Sequence, residues 1–596
     1  MQPRDSYLLT STRVERIGEP YTQKWPLLKT TQIRELENLY SRQRSALCSK
    51  FNNSNKAQSP VPTLMESAGI SLAKLCIALA PDARDIWIAC GPGNNGADGL
   101  VAAIELQKMG KKAYVSLITK DNFPKTPSST TYFADIDDQL SAQQAAISAG
   151  IELHTQAPKH WDFAIDALLG IGLDARHPRP IEGLIADWLS LINTASAPVL
   201  CVDTPSGLCT DTGGMSLIAC PPVMDLRPLE LNSKQIRYTL TFLGLKPGLF
   251  TNDGKDFCGE LWFAPLTHDG LVAHTTLDFE NHNSHIYLNS APAVTQRLHN
   301  THKGTYADAI ILGGASGMQG AAVLASTAAL HMGAGRVYLC LIEDTTIHIR
   351  INPALMSRSA KDIENLHLES ATVVCGCGAG TEINKYLQLV LTNASNLVLD
   401  ADALNAVATE TSFQDLLKAR FANSMQTVLT PHPLEAARLL GITTREIQSN
   451  RIESAQKLAQ LFKCTVVLKG AGSVIAEYGN AKHQSELGNT LVTGKKAGVA
   501  GRKALNSKLS QDPKLMDRIT ERICVNPTGC ALLASAGTGD VLAGMIGALL
   551  ARSGDAWSSA CEAVFLHGLT AQKWNLHESF DAELLAQRVS YPRLRN

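Results

Sequence analysis

Ala536-Gly537-Thr538-Gly539-Asp540-Val541-Leu542-Ala543-Gly544 (AGTGDVLAG) sets small residues directly before an apolar helix pattern and places one carboxylate, Asp540, at the mouth of that helix. Small residues let peptide N–H groups come close to an anion. The start of a helix adds a partial positive charge, and a carboxylate there can take a proton from an attacking hydroxyl. The combination predicts a phosphate-binding turn suited to phosphoryl transfer. A glycine turn that serves only tight packing reads the same way, so the rest of the chain has to decide.

Working outward from that turn, the second half of the chain repeats one pattern: a short β-rich apolar run, a turn of small or polar residues, then an Ala/Leu-rich amphipathic run. Its strands are DAIILGG (308–314), NLVLD (396–400), QTVLT (426–430) and TVVLKG (465–470). The first half follows the same plan with IWIAC (86–90), YVSLIT (114–119), FAIDALLG (163–170) and PVLCVD (198–203). Such βαβ patterning predicts an α/β protein with two parallel sheets. At 596 residues the chain exceeds a single core. No repeat relates the halves, and the polar stretch 271–302 separates them, so the expected domains are 1–277 and 278–596, with the boundary at Asp278. The polar segments 45–60 and 479–522 read as surface insertions without chemistry.

Composition narrows the function. With 45% hydrophobic residues, 18% charged residues and a formal net charge of -1, bulk electrostatics offer nothing to nucleic acid or a membrane surface, and the expected ligand is small. The opening MQPRDSYLLTSTR lacks a signal peptide's apolar core, and the run 541–551 is too short to span a bilayer. A cytoplasmic enzyme is expected. The 14 cysteines contain no CxxC pair, Cys375 and Cys377 being nearest, which points to reduced thiols rather than zinc or a disulfide framework.

In the first half, GPGNNGADG (91–99) follows a strand and opens a helix pattern, the context in which a GxGxxG turn carries meaning. Asn94, Asn95 and Asp98 add oxygens that a plain pyrophosphate turn does not need and that suit a hard cation or ligand hydroxyls. An Asn-Gly turn with helix capping is the plainer alternative. Asp166 and Asp203 end two further strands and Ser206 follows, so these oxygens point to one crevice of a parallel sheet, although Asp203 also suits a turn before Pro205.

In the second half, VVCGCGAG (373–380) ends a strand with three glycines, VLDADALN (398–405) ends one with two carboxylates, and VLTPHPLEAARLL sets His432 and Glu435 between a strand and a helix. Alone, His432 would more often cap or pack, and Glu435 would favour a helix start. VVLKGAGS (466–473) offers Lys469 and a glycine turn to a nucleotide phosphate.

These motifs carry a resemblance. LMESAG (64–69), GPGNNGADG, DALLGIGL, DTPSGL and KPGL (246–249) resemble the NAD(P)H-hydrate epimerase domain, a Rossmann-like fold, over roughly residues 31–269. HKG (302–304), LDADALN, TPHPLE, NPTG (526–529) and GTGDVLAG resemble the ADP- or ATP-dependent NAD(P)H-hydrate dehydratase, a ribokinase-like domain, over roughly residues 291–585. The resemblance implies that a hydrated nicotinamide nucleotide lies against Asn94, Asn95, Gly96, Ala97 and Asp98, the loop Gly170, Ile171, Gly172, Leu173, Asp174, Ala175 and Arg176, and Asp203. It implies a potassium ion on Asn95, Asp166 and Ser206. In the second domain it implies hydrate contacts from Ala321, Gly378, His432 and Asp540, and a nucleotide on Lys469, Gly470, Ala471, Gly472, Ser473 and Gly539.

Several positions depart from the family wording. Ala97 stands where glycine is usual and would cost about 1–2 kcal/mol if that position required a left-handed backbone. Residues 375–380 replace a GPGLG string, Ala354 stands where Glu is common, and the insertion before Asn526 is long.

The expected protein is a bifunctional repair enzyme for NADHX and NADPHX, the hydrates of NADH and NADPH. One domain epimerises the R and S hydrates, with Asp203 or Asp98 handling the proton and Asp203 the catalytic assignment. The other dehydrates the S form at the expense of ADP (or ATP) with Mg2+, Asp540 acting as base. A homo-oligomer is expected. Two alternatives stay open: a small-molecule kinase of the ribokinase superfamily, which shares the GTGD turn, and a first half that only binds nucleotide because of Ala97.

Overall fold

The structure, a computed structural model, describes residues 14–52, 62–119, 136–174, 179–181, 183–219, 235–266, 286–294, 299–343, 351–478, 522–575 and 577–592. The chain divides into two compact units, Met1–Tyr21 with Trp25–Ser284 and Thr22–Lys24 with His285–Asn596. Asp278 and residues 479–521 lie outside the described residues.

The first unit contains β1 (Glu15–Ile17), β2 (Asp85–Cys90), β3 (Lys112–Leu117), β4 (Leu153–His154), β5 (Phe163–Ala167), β6 (Arg179–Ile181), β7 (Val199–Val202), β8 (Leu217–Ala219), β9 (Arg237–Phe242) and β10 (Glu260–Ala264). Its main sheet runs β1-β10-β9-β7-β5-β2-β3-β4, and β6 pairs with β8 apart from it. Among the described residues only the β1–β10 pairing is antiparallel. The central strands are apolar almost end to end because both faces are covered. Successive side chains of β2 alternate between two cores: Ile86, Ile88 and Cys90 join Leu72, Leu100 and Ile165, while Trp87 and Ala89 join Trp188, Leu189 and Cys201. The helices Leu64–Leu79 and Asn94–Lys108 supply the first core and Leu184–Thr194 the second.

From β2 the chain steps to β3 and β4 on one side and later to β5 and β7 on the other, so the strand order reverses between β2 and β5. The crevice at their C-terminal ends is where this architecture takes ligands. Two expectations change here. The segment 45–60 is not wholly an insertion, since its first residues continue the helix Thr30–Asn52, and residues 53–61 lie outside the described set. Ala97 lies inside the helix Asn94–Lys108 and has no positive φ; its N–H bonds the Gly93 carbonyl at 3.1 Å, so the strain conceivable at this position is absent.

The second unit contains β11 (Ile286–Leu288), β12 (Asp308–Gly313), β13 (Arg336–Leu341), β14 (Met356–Ser359), β15 (Thr372–Cys375), β16 (Asn396–Leu399), β17 (Gln426–Leu429), β18 (Thr465–Leu468), β19 (Val474–Glu477) and β20 (Arg522–Val525). They form one sheet, β11-β20-β19-β18-β17-β16-β15-β12-β13-β14, antiparallel only at both edges of β19. The reversal falls between β12 and β15. Across it lies the helix Thr538–Ser553, whose small residues let it approach closely: a Cβ on Gly544 would fall 2.0 Å from the Ala325 carbonyl oxygen. Behind them Met545, Ile546, Leu549 and Leu550 are buried, each contributing about 1.5–3 kcal/mol. The small residues that looked ambiguous along the sequence divide accordingly, Gly544 packing within the helix and Gly537 capping its start, with Thr538 to Asp540 in its first turn.

Candidate active sites

In the first unit the crevice is built from three strand ends. Asp166, within β5, is buried; its Oδ1 accepts from Ser206 Oγ at 2.6 Å and its Oδ2 from the Ser206 N–H at 3.0 Å. Ser206 Oγ accepts from the Leu169 N–H at 2.9 Å. Asn95, in the first turn of its helix, donates through Nδ2 to the carbonyls of Leu169 (3.2 Å) and Val202 (2.6 Å). The loop passes directly over this amide, since a Cβ on Gly170 would meet Asn95 Oδ1 at 2.3 Å. Asn95, Asp166 and Ser206 are thus brought together as expected. The chemistry of this set fits potassium: carboxylate, hydroxyl, amide and two peptide oxygens are hard donors, and an N–H already lies where the two carbonyls call for positive charge.

Asp203 follows β7 with a left-handed backbone, φ 64°. Its Oδ1 accepts from Lys246 Nζ, from the Phe242 N–H at 2.9 Å and from Thr241 Oγ1 at 3.2 Å. Lys246 is wholly buried and also donates to Thr241 Oγ1 (2.9 Å) and the Phe242 carbonyl (2.8 Å). Among the described residues Asp203 Oδ2 accepts no hydrogen bond, so one oxygen is anchored and the other is not. Sequence reading saw Lys246 only as part of KPGL; its role needed the fold.

Of the other residues expected here, Asn94 and Gly172 are exposed and Asp98, Gly170, Ile171 and Asp174 are half-buried. Gly96, Ala97 and Leu173 are buried, and the Ala97 methyl belongs to the core, so Ala97 shapes the site through its helix rather than by side-chain contact. Ala175 and Arg176 lie outside the described residues.

In the second unit five adjacent parallel strands deliver their C-terminal residues to one edge. β12 is followed by Gly314, β15 by Gly376-Cys377-Gly378, β16 by Asp400, β17 by Thr430-Pro431-His432 and β18 by Lys469. The helix Thr538–Ser553 starts over them from Gly537, which takes φ 87°. The amides of Thr538, Gly539 and Asp540 have no partner among the described residues, as in the first turn of any helix, and are available to an anion.

Charge is concentrated on this edge. Lys469 Nζ pairs with Asp400 Oδ1 at 2.6 Å. A Cβ on Gly539 would stand 3.3 Å from that ammonium, so lysine and glycine turn are neighbours. Burial first, and then the Asp400 charge, push the Asp540 carboxyl up to about 6, while the Cys377 thiol and Lys469 pull the other way. Burial also pushes Glu435 up to about 7, with Lys469 opposing and Asp400 adding to it. Although burial works against its charge, Lys469 is raised by Asp400 and Glu435.

His432 caps the helix Pro433–Leu440, its Nδ1 accepting from the Leu434 N–H at 3.0 Å, so neutral His432 carries its proton on Nε2, 3.4 Å from Glu435 Oε1. The capping role and a place beside the site are both realised. Burial first, and Lys469 next, hold its pKa below the ordinary value. Gly378, φ 56°, lies against Ala321: a Cβ on it would fall 2.9 Å from the Ala321 methyl. The Lys469–Ser473 turn exposes Gly470 and Ala471. Beneath it the buried Arg451 donates to the carbonyls of Leu468 (3.2 Å) and Lys469 (3.1 Å).

Sequence reading assigned no role to Asp400, Cys377 or Arg451. Asp400 was signalled by its place at a strand end; the other two carried no signal, because their contacts come from distant segments. Cys377, Asp400 and Asp540 present ligand atoms all within 4.8 Å of one another. That set does not form a cage for magnesium: one donor is a thiol, and Asp400 is already paired with Lys469.

Comparison with known proteins covers both units. The family described as NAD(P)H-hydrate dehydratase matches residues 309–498 and 514–591, and that described as YjeF-related protein N-terminus matches residues 62–248. The bifunctional NAD(P)H-hydrate repair enzyme of Escherichia coli is 31% identical over 521 residues, covering 85% of this chain and 84% of its own. That of Coxiella burnetii is 29% identical over 549 residues, covering 89% and 94%. The ADP-dependent (S)-NAD(P)H-hydrate dehydratase of Neisseria meningitidis is 34% identical over 299 residues, 49% of this chain and 86% of its own. Among solved structures, the ADP/ATP-dependent NAD(P)H-hydrate dehydratase from Bacillus subtilis co-crystallized with ATP/Mg2+ shares 26% identity at a TM-score of 0.36, covering 49% of this chain and 91% of that one. With likeness running through both units and most of the length of both chains, this chain belongs to the family of bifunctional NAD(P)H-hydrate repair enzymes.

Proposed function

We propose that the first unit interconverts the R and S hydrates of NADH and NADPH and that the second dehydrates the S hydrate, using ADP and releasing AMP and phosphate. The observation that carries this reading is Asp540: a carboxylate in the first turn of a helix, beside unpartnered amides, with its proton affinity raised to about 6.

In the second unit Asp540 takes the proton of the C6 hydroxyl as that oxygen attacks the terminal phosphorus of ADP, and AMP leaves with the bridging electron pair. The amides of Thr538 to Asp540 and the Lys469 ammonium face the developing charge. The ring nitrogen lone pair then expels phosphate from C6, and loss of a C5 proton restores the dihydropyridine. Magnesium would travel with the nucleotide phosphates, where it neutralises charge; no protein cage is invoked for it.

In the first unit Asp203 Oδ2 is the proton carrier. A carbinolamine inverts when its hydroxyl proton is removed, the C6–N1 bond opens and recloses on the other face, and the proton returns. Asn95, Asp166 and Ser206 would hold potassium, which offsets the negative charge of the buried Asp166. The helical backbone of Ala97 removes the reason to treat this unit as a mere binder. Free thiols, most of them buried, support a cytoplasmic setting.

The test is to incubate mixed hydrate epimers with the full chain and ADP, following reduced nicotinamide absorbance and inorganic phosphate. Complete conversion with one phosphate per reduced nucleotide supports the reading. A phosphorylated product that persists would instead make the second unit a small-molecule kinase.

A further inference from the structure

The loop after β15 holds a side chain that the reaction above does not use. Cys377 is fully buried, and its backbone is pinned on both sides: the Gly376 N–H donates to the Leu312 carbonyl at 3.0 Å, and the Cys377 carbonyl accepts from the Gly314 N–H at 3.0 Å. The thiol therefore has a fixed origin. It lies beside the carboxylates of Asp400 and Asp540, with the three ligand atoms within 4.8 Å of one another.

We propose that Cys377 is a positioning residue for Asp540: its S–H donates to the Asp540 carboxylate and holds that base, ionised, toward the crevice.

The proposal rests on the reading of Asp540 as the base. Its physical basis is the set of groups around that carboxylate. Asp400, after β16, and Asp402, in the helix Ala401–Thr409, repel it; Lys469, after β18, attracts it but is shared with Asp400 and Glu435. On the far side of the turn His567, in the helix Ala556–Gln572, contacts the Thr538 backbone, and burial holds it neutral with a pKa down at about 4. Among the described side chains named here, that leaves the thiol as the neutral donor beside Asp540. It stays protonated, because burial and the charges of Asp540 and Asp400 drive its pKa well above 9.0. A thiol in that state is a poor nucleophile and a poor target for oxidation, so donation is the chemistry left to it. A neutral donor stabilises the carboxylate over the acid without adding charge where phosphate must bind.

The experiment is the pH profile of kcat for ADP-dependent dehydration by the full chain, in wild type, Cys377→Ala and Cys377→Ser. Removing the donor should move the acid limb upward from about pH 6 by roughly half to one unit, the size expected for one weak hydrogen bond. The rate near the limb should fall by about three- to tenfold, with KM for ADP unchanged. Serine, which keeps an O–H, should return the limb to the wild-type position or below it. Cys377→Val, which also lacks a donor, serves if the alanine variant unfolds. A limb that stays in place in the donor-less variants, or a serine variant that behaves like alanine, overturns the proposal. Asp540→Asn run alongside separates the two ideas. If it abolishes dehydration while the limb of Cys377→Ala stays in place, only the Cys377 role is lost; if it leaves dehydration intact, the base assignment itself is lost.

Discussion

Asp203, just after a strand, and Asp540, in the first turn of a helix, are the two carboxylates proposed to handle protons in their units, and their surroundings are arranged in opposite ways. In the first unit the buried ammonium of Lys246 binds Asp203 directly and, with Thr241 and Phe242, anchors one of its oxygens. In the second, Lys469 binds the neighbour, Asp400, and leaves Asp540 beside a like charge that helps raise its proton affinity to about 6. A carboxylate that only ferries a proton out and back is suited by a fixed position. One that must seize a proton as phosphorus is attacked benefits from a higher affinity near the working pH. The difference lies in which carboxylate the lysine meets.

The largest test of this contrast is to remove each carboxylate in turn. Asp540→Asn should lower ADP-dependent dehydration by about 10²–10⁴-fold, the range for a general base, with epimer exchange unchanged. Asp203→Asn should do the reverse, so that a mixture of epimers stalls near its initial S fraction apart from spontaneous exchange. Chromatographic separation of the epimers reads both, and loss of both activities in either variant would break the division of labour.

Lys469→Met comes next. It leaves the buried Asp400 without its cation, which should destabilise the second unit by about 3–5 kcal/mol and raise KM for ADP by at least about tenfold. Thermal unfolding with and without ADP checks it; an unchanged midpoint would mean that the pair contributes nothing.

The pH dependence should differ more gently. Dehydration should rise through about pH 6 as Asp540 ionises. The linkage to stability has the opposite sign. Because the folded carboxyl binds its proton more tightly than an unfolded one, Asp540 favours the fold below its unfolded pKa and loses that contribution as pH rises through about 6. Denaturant unfolding across this range reads the slope, and stability rising through it in wild type but not in Asp540→Asn would contradict the sign.

The smallest effect is expected at Ala97. Restoring glycine should destabilise the first unit by about 0.5–1 kcal/mol or slightly more, since the residue is helical and its methyl is in the core, and should not speed epimerisation. A clear gain in rate would mean that the alanine does strain the site.

Much of this was legible in the chain itself. Parallel strands buried on both faces read as apolar runs, and a βαβ order sends every strand's C-terminal residue to one edge, so Asp166, Asp203, His432 and Lys469 could be singled out before any contact was known, and Asp540 by the glycines at the start of its helix. Ser45 to Asn52 misread as loop because a polar stretch carries little apolar periodicity even where its backbone is helical. Lys246, Cys377 and Arg451 were invisible as site residues because their partners lie 43 residues away for Lys246 and Asp203, and 18 for Arg451 and Lys469, or on other strands altogether.

The order of residues determined by itself the α/β class, the two halves and the family motifs, and singled out the candidate carboxylates, since all of these are local patterns with a period or a fixed spacing. Tertiary structure alone decided which oxygen of Asp203 is tied down, that Lys469 forms its ion pair with Asp400 rather than with Asp540, and that Ala97 is helical. Those outcomes depend on burial and on distances of a few ångströms between remote segments, and the energy of a charge in a protein is set by that environment rather than by its neighbours along the chain.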